Sequence, residues 1–501
     1  MDEGLTSYPA RVRSAAQSHP DGPVILYEPV DGPSYTVTWR EFDERSTQVA
    51  RRFAELGVDE DSTVVIGYRS CPEHAIAAAA GWKLGALVLP LKHSLPDRER
   101  DAILELASPA VVAADWDLPD STPVVTLDAL RATTELSTEP LPDIVASPGK
   151  AVASGGSTGR SKIIVDPNPF ALREGDEAFH GLIARLGMRE RQVMLLHGAL
   201  YHNAPFSLMH MGIVLHDTIV LMDRFDAERF VDVIEQHRVE FAYVVPTTMR
   251  RIAQLPDIEQ RDLSSLESVY HTAAPCPPWL KRIWIDLVGD RLFEAYGSTE
   301  AIGSASIRGD EWLEHPGSVG RPAGCDLKIL GEDGQELPVG EVGEVFTRPH
   351  AKGPTYRYIG SEPTRHTDDG FHSVGDLGWV DEDGYLFLAD RRVDLIITGG
   401  SNVYPAEVEA ALTLHPGVGD VAVIGIPDDD LGKRVHAIVA PADHGDPVTQ
   451  DQLDAHVRSH LAGYKAPRTY EFVQDFPRDD AGKIRRSQLA AERAEGARTT
   501  G

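Results

Sequence analysis

Cysteine is scarce in this 501-residue chain, which carries only Cys71, Cys276 and Cys325. Thiols so few and so widely spaced match neither a disulfide framework nor a paired-cysteine metal site, and they favour a reducing setting. Long apolar runs are missing too, since none reaches the roughly 20 residues that cross a bilayer. The acidic amino terminus also lacks the apolar stretch of a secretory signal. We therefore expect a cytoplasmic protein without a membrane span.

Positively charged residues are also few relative to negatively charged ones. The chain has 48 lysines and arginines against 78 aspartates and glutamates, which gives a formal net charge of −30. Such a surface repels polyphosphate backbones and anionic lipid, so non-specific nucleic-acid or membrane-surface binding is excluded. A hydrophobic content of 42% and a charged content of 25% are typical of a globular protein. The length predicts two to four domains.

Segments with the hydrophobic periodicity of a helix alternate with short apolar segments typical of strands along the first 270 residues. Thr38 and Glu41 form a capping box ahead of an apolar helical stripe that ends at Gly57, which predicts a helix over residues 38–57. Short apolar runs, such as residues 64–67 and 241–245, are separated by helical patterns. Strands that alternate with helices indicate parallel sheets that are covered on both faces.

The pattern changes after residue 317, where short strands are joined by acidic and glycine-rich turns typical of antiparallel hairpins. Beyond residue 390 the chain returns to a small alternating unit, in which Thr449 and Gln452 form a second capping box. We therefore predict an α/β protein. Residues 1–389 form a large N-terminal domain of layered α/β sheets with a β-rich subdomain, and residues 390–501 form a small, mobile α+β C-terminal domain.

The most distinctive local segment is SGGSTGRSK, residues 154–162. Its glycines let successive backbone amides turn toward one anion, its hydroxyls add donors, and Arg160 and Lys162 add positive charge. This composition predicts a phosphate cradle, although a flexible Gly/Ser linker has the same composition. A conventional P-loop followed by a helix is disfavoured, because no glycine stands immediately before Lys162.

Three further segments carry residue types suited to a nucleotide. In YGSTE, residues 296–300, a tyrosine can stack on a base, a threonine can reach a phosphate and Glu300 can hold Mg²⁺, although Glu300 could equally cap a helix. Asp376, between glycines, can accept both ribose hydroxyls with Arg391 nearby, or it is simply a turn residue. Lys483 follows a glycine on a predicted loop, where a solvated lysine is the ordinary alternative.

The joint order of these motifs resembles the superfamily of AMP-forming adenylating enzymes, which includes acyl-CoA synthetases, nonribosomal adenylation domains and firefly luciferase. The resemblance covers nearly the whole chain, and the motifs look most like those of acyl- or aryl-CoA ligases. They also include residues 316–322, PGSVGRP, and residues 340–344, GEVGE. Three residues depart from the usual pattern of the family: Gly155 and Ser161 in the glycine-rich loop, and Val393. Neither of the two departures in the loop removes a hydrogen-bond donor that the chemistry needs.

The resemblance implies a role for each matching residue. Tyr296 would stack on adenine, Thr299 would contact the α-phosphate, Glu300 would hold Mg²⁺, and Asp376 with Arg391 would bind the ribose and a phosphate. Asp390 would be the hinge between the domains. The cofactor-binding residues implied are Ser154, Gly156, Ser157, Thr158, Gly159, Lys162, Tyr296, Gly297, Thr299, Asp376 and Arg391. The catalytic residues implied are Lys483, Thr158, Glu300 and His202.

The same resemblance places the acid pocket beside His202, which is a candidate gate, although a buried structural histidine is equally compatible. No aspartate follows His202 to pair with an ammonium group, so an aryl or bulky acid is favoured over an α-amino acid. The expected pocket residues are His202, Asn203, Ala204, Thr247, Ala273, Ala274 and Gly303.

The function that the resemblance implies is ATP-dependent, AMP-forming activation of an aryl or bulky acyl carboxylic acid, with Mg²⁺, followed by transfer of the acyl group to CoA. A monomer or homodimer is expected. Two alternatives stay open. The first is an adenylate-forming enzyme of another kind, which either passes the adenylate to a carrier protein or an amine, or activates nitrite for an aryl amine as in related diazotases. The second is a protein that binds a nucleotide without catalysis.

Overall fold

The computed structural model describes residues 4–119, 122–155, 161–173, 175, 177–351, 353, 355–391, 394–398, 401–428, 430–442, 448–474, 476 and 484–498. Within these ranges, the side chains of residues 154, 155, 161, 177, 178, 390, 391 and 494–498 are not described. None of the helices in these ranges combines the length and the apolar character that a membrane crossing requires.

Capping residues set the start of several helices. The predicted capping boxes of Thr38 with Glu41 and of Thr449 with Gln452 are both present, and each opens a helix one residue later. The α-helices of the described residues are Tyr8–Ser18, Trp39–Glu55, Pro72–Lys83, Asp97–Ala107, Leu127–Arg131, Glu177–Arg185, Asn203–Val214, Ala227–His237, Pro246–Ala253, Pro278–Val288, Gly309–Glu314, Pro405–Leu412, Gln450–His460 and Arg486–Arg498. Short 3₁₀ helices lie at Ala132–Glu135, Ile258–Gln260, Gly289–Arg291 and Gly463–Lys465.

The largest sheet is parallel at its centre and antiparallel at its edges. Its strands, in spatial order, are Arg321–Ala323, Ser304–Arg308, Leu292–Gly297, Ser268–His271, Phe241–Val244, Val193–His197, Thr218–Met222, Pro23–Tyr27 and Tyr35–Thr38. The sequence predicted the parallel strands and not the antiparallel edges. The edge strand Ser304–Arg308 does alternate polar and apolar residues, but it is only five residues long and the pattern does not indicate which strand it pairs with.

A second sheet is parallel at its centre and at one edge, and antiparallel at the other edge. Its strands, in spatial order, are Arg357–Ile359, Ser161–Asp166, Lys150–Gly155, Leu87–Pro90, Thr63–Ile66, Val111–Ala113 and Val124–Val125. The strands Lys150–Gly155 and Ser161–Asp166 are antiparallel, with Gly155 opposite Ser161. The glycine-rich segment therefore joins two paired strands and is followed by a strand, which confirms that it is not a P-loop with a helix behind it.

The two sheets enclose a layer of helices that forms the main core. Helices Trp39–Glu55, Pro72–Lys83 and Asn203–Val214 contribute buried residues to one cluster with apolar residues of both sheets. Helices such as Ala227–His237 cover the other face of the larger sheet, and Asp97–Ala107 covers the other face of the smaller one. Apolar strands buried on both faces are the physical basis of this layered arrangement, which confirms the predicted α/β fold class.

The β-rich part and the C-terminal part each have their own sheet. The first contains the strands Arg365–His366, His372–Ser373, Gly343–Pro349, Asp376–Val380 and Leu386–Arg391, and Cys325–Leu330 pairs with Gly343–Pro349. The second contains Ser401–Val403, Ile396–Thr398, Gly432–Pro441 and Val418–Asp428, and Thr469–Phe472 pairs with Gly432–Pro441. A short ribbon joins Leu5–Ser7 to Ala171–Arg173. The C-terminal sheet has a separate apolar core, while a domain boundary at residue 390 stays a prediction.

Candidate active site

A cavity of about 2030 Å³ lies between the large N-terminal part of the chain and the C-terminal part. Tyr296 to Thr299, Tyr201 to Pro205 and Ser207 contribute to its wall from the N-terminal side. Residues 484–488, together with Lys433, contribute from the C-terminal side. A large cleft between domains, with a few polar groups converging on it, is the usual setting of a small-molecule site.

At one wall of the site, the end of a central strand contacts the β-rich sheet. Tyr296 lies near the end of the strand Leu292–Gly297, and its hydroxyl donates a hydrogen bond to Oδ2 of Asp376 over 2.5 Å. Asp376, which begins the strand Asp376–Val380, is only 7% exposed. Two residues that the sequence proposed for adenine and ribose, 80 positions apart, are therefore in direct contact.

The same strand pair positions two further predicted residues. Asp376 lies directly opposite Arg391, and Leu377 lies opposite Asp390, in the antiparallel pairing of Asp376–Val380 with Leu386–Arg391. The side chains of Asp390 and Arg391 lie outside the described atoms, so their roles as hinge and ribose contact stay predictions. The register nevertheless brings the backbone of Arg391 beside Asp376, as a shared ribose site requires.

A second polar group is centred on Glu300, whose side chain is largely buried. Its Oε1 accepts a hydrogen bond from the Tyr358 hydroxyl at 2.5 Å and lies 3.3 Å from Nζ of Lys162. Nζ of Lys162 also donates to the Tyr358 hydroxyl over 2.9 Å. Burial and the contact with Glu300 raise the pKa of the Tyr358 phenol, so it stays protonated and donates to Glu300.

Tyr358 is a member of this group that the sequence did not predict. It lies on the short strand Arg357–Ile359, which pairs with Ser161–Asp166 so that Tyr358 faces Ile164. A signal was available in the tyrosines at positions 356 and 358, which alternate in a glycine-rich segment. Alternation on a short strand puts both side chains on one face, but nothing in the sequence indicates which strand is its partner.

Glu300 has the chemistry of a magnesium ligand. Mg²⁺ prefers hard oxygen ligands and is usually bound through one or two carboxylates together with substrate phosphates. The Glu300 carboxylate fits this preference, and in the sequence Glu300 stands between Thr299 and Ala301, which line the cavity. Lys162 next to it adds a positive charge suited to the same phosphates.

Most of the expected acid-pocket residues line the cavity. They are His202, Asn203, Ala204, Ala273 and Gly303. His202 is the residue before the helix Asn203–Val214, and its ring lies 4.5 Å from that of Tyr201, between centroids. The first turn of this helix therefore presents its side chains to the cavity wall.

Two expected pocket residues are not on the wall that the described residues form. Thr247 lies in the first turn of Pro246–Ala253, a helix that packs on the outer face of the larger sheet through Met249 and Ile252. Ala273, which has a positive φ of 78°, lines the cavity in the bend after the strand Ser268–His271, whereas Ala274 does not. The assignment of Thr247 and Ala274 to the acid pocket stays a prediction.

Gly303 lines the cavity, where a glycine could serve to leave room for the acid. The structure gives a different reason for glycine at this position, which is packing against the neighbouring sheet. A Cβ atom at this position would lie 2.6 Å from Cβ of Thr347 in the neighbouring sheet. A separation under 3.0 Å is too short for two carbon atoms in van der Waals contact. The close approach of the two sheets therefore requires glycine here.

Part of the predicted site lies outside the described residues. Gly156, Ser157, Thr158, Gly159 and Lys483 belong to this part, and the side chain of Ser154 is also not described. Gly297 and Thr299 line the cavity next to Tyr296. The phosphate-binding role of the glycine-rich loop and the catalytic role of Lys483 stay predictions.

Comparison with known proteins gives consistent matches along the chain. The family model described as AMP-binding enzyme matches residues 12–356, and the model for the C-terminal domain of AMP-binding enzymes matches residues 407–483. A 2-succinylbenzoate–CoA ligase from Bacillus pumilus is 30% identical over 91% of this chain and 93% of its own length. A feruloyl-CoA synthase from an Amycolatopsis species is 29% identical over 97% of this chain and 99% of its own.

Solved structures agree with these sequence matches. An o-succinylbenzoate CoA synthetase from Bacillus subtilis, in complex with its acyl-adenylate intermediate, superposes with a TM-score of 0.81 at 26% identity, over 96% of this chain and 97% of its own. An amide bond synthetase from Marinactinospora thermotolerans superposes with a TM-score of 0.77 at 25% identity, over 97% of this chain and all of its own. The chain therefore belongs to the AMP-binding enzyme family, and it is an AMP-forming ligase, as the order of its motifs predicted.

Proposed function

We propose that this protein is an aryl- or acyl-CoA ligase, which activates a carboxylic acid with Mg·ATP and transfers the acyl group to CoA. The observation that carries the proposal is that Tyr296, whose hydroxyl contacts Asp376, and Thr299, whose neighbour Glu300 contacts Lys162, both line one interdomain cavity. Relatives that cover almost the whole chain are named as CoA ligases of aromatic acids, which supports the same substrate class.

In the first step, an oxygen of the acid would attack the α-phosphorus of ATP, pyrophosphate would leave, and an acyl-adenylate would form. The Tyr296 ring and the Asp376 carboxylate are suited to hold the nucleoside, which fixes the α-phosphate relative to the acid. Mg²⁺ bound at Glu300 would neutralise phosphate charge. Lys162 would add a fixed positive charge at the phosphates, and Lys483 would bridge the two reacting anions. Positioning and charge stabilisation of this kind supply most of the catalysis in phosphoryl chemistry.

In the second step, the thiol sulfur of CoA would attack the acyl carbon of the anhydride, the bond to the phosphate oxygen would break, and AMP would leave. The thiol proton would go to solvent or to a base at the site. The side chain next to His202 is the neutral Asn203, which leaves no carboxylate there to pair with an α-ammonium group. This supports an acid without an amino group on its α-carbon.

Other acceptors are favoured by specific relatives. A carrier-protein ligase from Streptomyces coeruleorubidus is 29% identical over 95% of this chain, and the amide bond synthetase shares the fold. The test is to incubate the protein with Mg·ATP and a panel of aryl, alicyclic and fatty acids, with CoA, an amine, nitrite with an aryl amine, or a carrier protein. Pyrophosphate release and product mass are measured. Release of pyrophosphate without an acyl-CoA product from any acid would contradict CoA as the acceptor.

A further inference from the structure

The hydroxyl of Tyr358 lies between the two groups that the proposed function places at the phosphates of ATP. Tyr358 stands on the edge strand of the smaller sheet, directly opposite Ile164. Lys162 is two residues from Ile164 on the neighbouring strand, so it shares a face of the sheet with Tyr358. The same hydroxyl reaches Glu300, which follows the strand Leu292–Gly297 of the larger sheet. One phenol therefore connects the two sheets at Glu300.

Both polar contacts of Glu300 fall on the same carboxylate oxygen. Oε1 accepts from the Tyr358 hydroxyl at 2.5 Å and from Nζ of Lys162 at 3.3 Å. The other oxygen, Oε2, accepts no hydrogen bond from any residue in the described part of the chain. Mg²⁺ prefers hard oxygen ligands and is usually bound through one or two carboxylates. A carboxylate that is held through one oxygen keeps the other available for such an ion.

The phenol hydroxyl also separates Lys162 from a direct pairing with Glu300. Nζ of Lys162 donates to the hydroxyl oxygen over 2.9 Å, a shorter distance than the 3.3 Å to Oε1, and it lies 4.0 Å from the centre of the Tyr358 ring. The hydroxyl accepts from the ammonium group while it donates its single proton to the carboxylate. Without this hydroxyl, Lys162 would be the only described partner of Glu300. A direct ion pair would then compete with a metal ion for the carboxylate.

Tyr358 reaches the nucleotide site through Glu300 and not directly. Thr355 and Gly360, on either side of Tyr358 in the sequence, line the cavity, whereas Tyr358 is not part of the wall that the described residues form. Glu300 keeps 9% of its side-chain surface exposed, so it is not fully enclosed. A residue in the position of Tyr358 orients the carboxylate and does not touch the reacting atoms.

We propose that Tyr358 is a positioning residue, which holds the Glu300 carboxylate through Oε1 so that Oε2 serves the magnesium ion of Mg·ATP. The inference rests on the proposed roles of Glu300 and Lys162 at the phosphates. Carboxylates that ligate a metal are commonly held by hydrogen bonds from outer partners. Loss of such a partner lowers metal affinity about 10- to 100-fold.

The test measures how strongly Mg²⁺ increases the affinity for ATP when no acid and no CoA are present. Calorimetric titration gives Kd for ATP in excess Mg²⁺ and in EDTA, and the ratio of the two values reports the contribution of the metal. In Tyr358→Phe, which keeps the ring, we expect this ratio to fall about 10-fold. A purely structural loss would weaken ATP binding in both conditions and leave the ratio unchanged. Tyr356→Phe is the matched control and should keep the wild-type ratio, because the Tyr356 hydroxyl contacts Thr364.

Two further variants distinguish the possible failures. Glu300→Gln should lower the ratio at least as far as Tyr358→Phe does. If Glu300→Gln keeps the wild-type ratio, Glu300 is not a metal ligand and the inference is overturned together with that assignment. If Glu300→Gln lowers the ratio and Tyr358→Phe keeps it, the inference alone is overturned.

Lys162→Met keeps the inference testable even if Tyr358→Phe does not fold. It should weaken ATP binding in both conditions and keep the ratio, because Tyr358 still holds the carboxylate. A fall in the ratio as large as that of Glu300→Gln would show that the lysine, and not the phenol, orients Glu300, and it would overturn the inference.

Discussion

The Tyr296 hydroxyl and the Asp376 carboxylate meet at 2.5 Å, although one belongs to the central sheet and the other to the β-rich sheet. This hydrogen bond fixes the ring proposed for adenine relative to the carboxylate proposed for the ribose. A hydrogen bond to a charged group contributes roughly 1.5–3 kcal/mol. The geometry of the nucleoside site therefore depends on contact between two sheets.

Tyr296→Phe keeps the ring and removes only the hydroxyl. We expect KM for ATP to rise about 10-fold, or about 1.4 kcal/mol, because Asp376 is no longer held in place. The value of kcat should change less, since the hydroxyl is remote from the reacting atoms. Steady-state kinetics with varied ATP measure the effect. An unchanged KM for ATP would show that the contact does not shape the nucleotide site.

Glu300→Gln removes the proposed magnesium ligand while keeping its shape. We expect a loss of about 10²–10³ in the adenylation rate, similar to the loss of one preorganised group at a reacting centre, and a higher Mg²⁺ requirement. Pyrophosphate release is measured while Mg²⁺ is titrated at fixed ATP. Glu314→Gln, at an exposed position on the helix Gly309–Glu314, is the control and should behave as the wild type. If the variant had a reduced rate but an unchanged Mg²⁺ dependence, Glu300 would not be a ligand of the metal.

Lys483→Ala tests a role that comes from the sequence alone. We expect acyl-adenylate formation to fall by about 10² or more, since a positive charge that bridges the two reacting anions is lost. Transfer of the acyl group from a supplied acyl-adenylate to CoA should be nearly unaffected. The two half-reactions are measured separately by pyrophosphate release and by acyl-CoA formation. An equal loss in both would contradict the assigned role.

Asp217 gives the stability of the protein a specific pH dependence. It is fully buried, and although its Oδ1 accepts a hydrogen bond from the backbone amide of Gln192, burial raises its pKa to about 8. Between pH 4 and 8 the unfolded chain loses this proton while the folded protein keeps it, so the contribution of Asp217 to stability declines as the pH rises. Asp217→Asn lacks this proton equilibrium.

We therefore expect the melting temperature of Asp217→Asn, relative to that of the wild type, to increase as the pH is raised from 5 to 8. Thermal unfolding at several pH values within this range measures the difference. A constant difference across the range would mean that Asp217 is already ionised in the folded protein at low pH.

Gly303→Ala tests whether packing or substrate size requires glycine at this position. The new methyl group would collide with Thr347, so we expect a destabilisation of about 1–3 kcal/mol, as for other overpacked sites. Thermal unfolding measures it, and Thr347→Ala in the same chain should recover part of the loss. Gly181→Ala is the matched control, because its methyl group would meet only the flexible side chain of Arg185. If Gly303→Ala kept its stability and changed only acid selectivity, the packing explanation would be wrong.

The sequence by itself determined the fold class, the family and the positions of most candidate nucleotide residues. Helix starts at Thr38 and Thr449 were readable because capping depends on residues three apart. The motif at residues 296–300 was readable because its members are adjacent. In both cases the information is local, and neighbouring residues in the chain are necessarily neighbours in space.

Only the tertiary structure decided which distant side chains meet. The contact of Tyr358 with Glu300 spans 58 positions, and that of Lys150 with Asn203 spans 53. The exclusion of Thr247 from the described cavity wall likewise follows from the face of the sheet on which its helix packs. Strand order and register set these relationships, and they arise from the burial of whole sheets and helices together. No local pattern in the sequence encodes them.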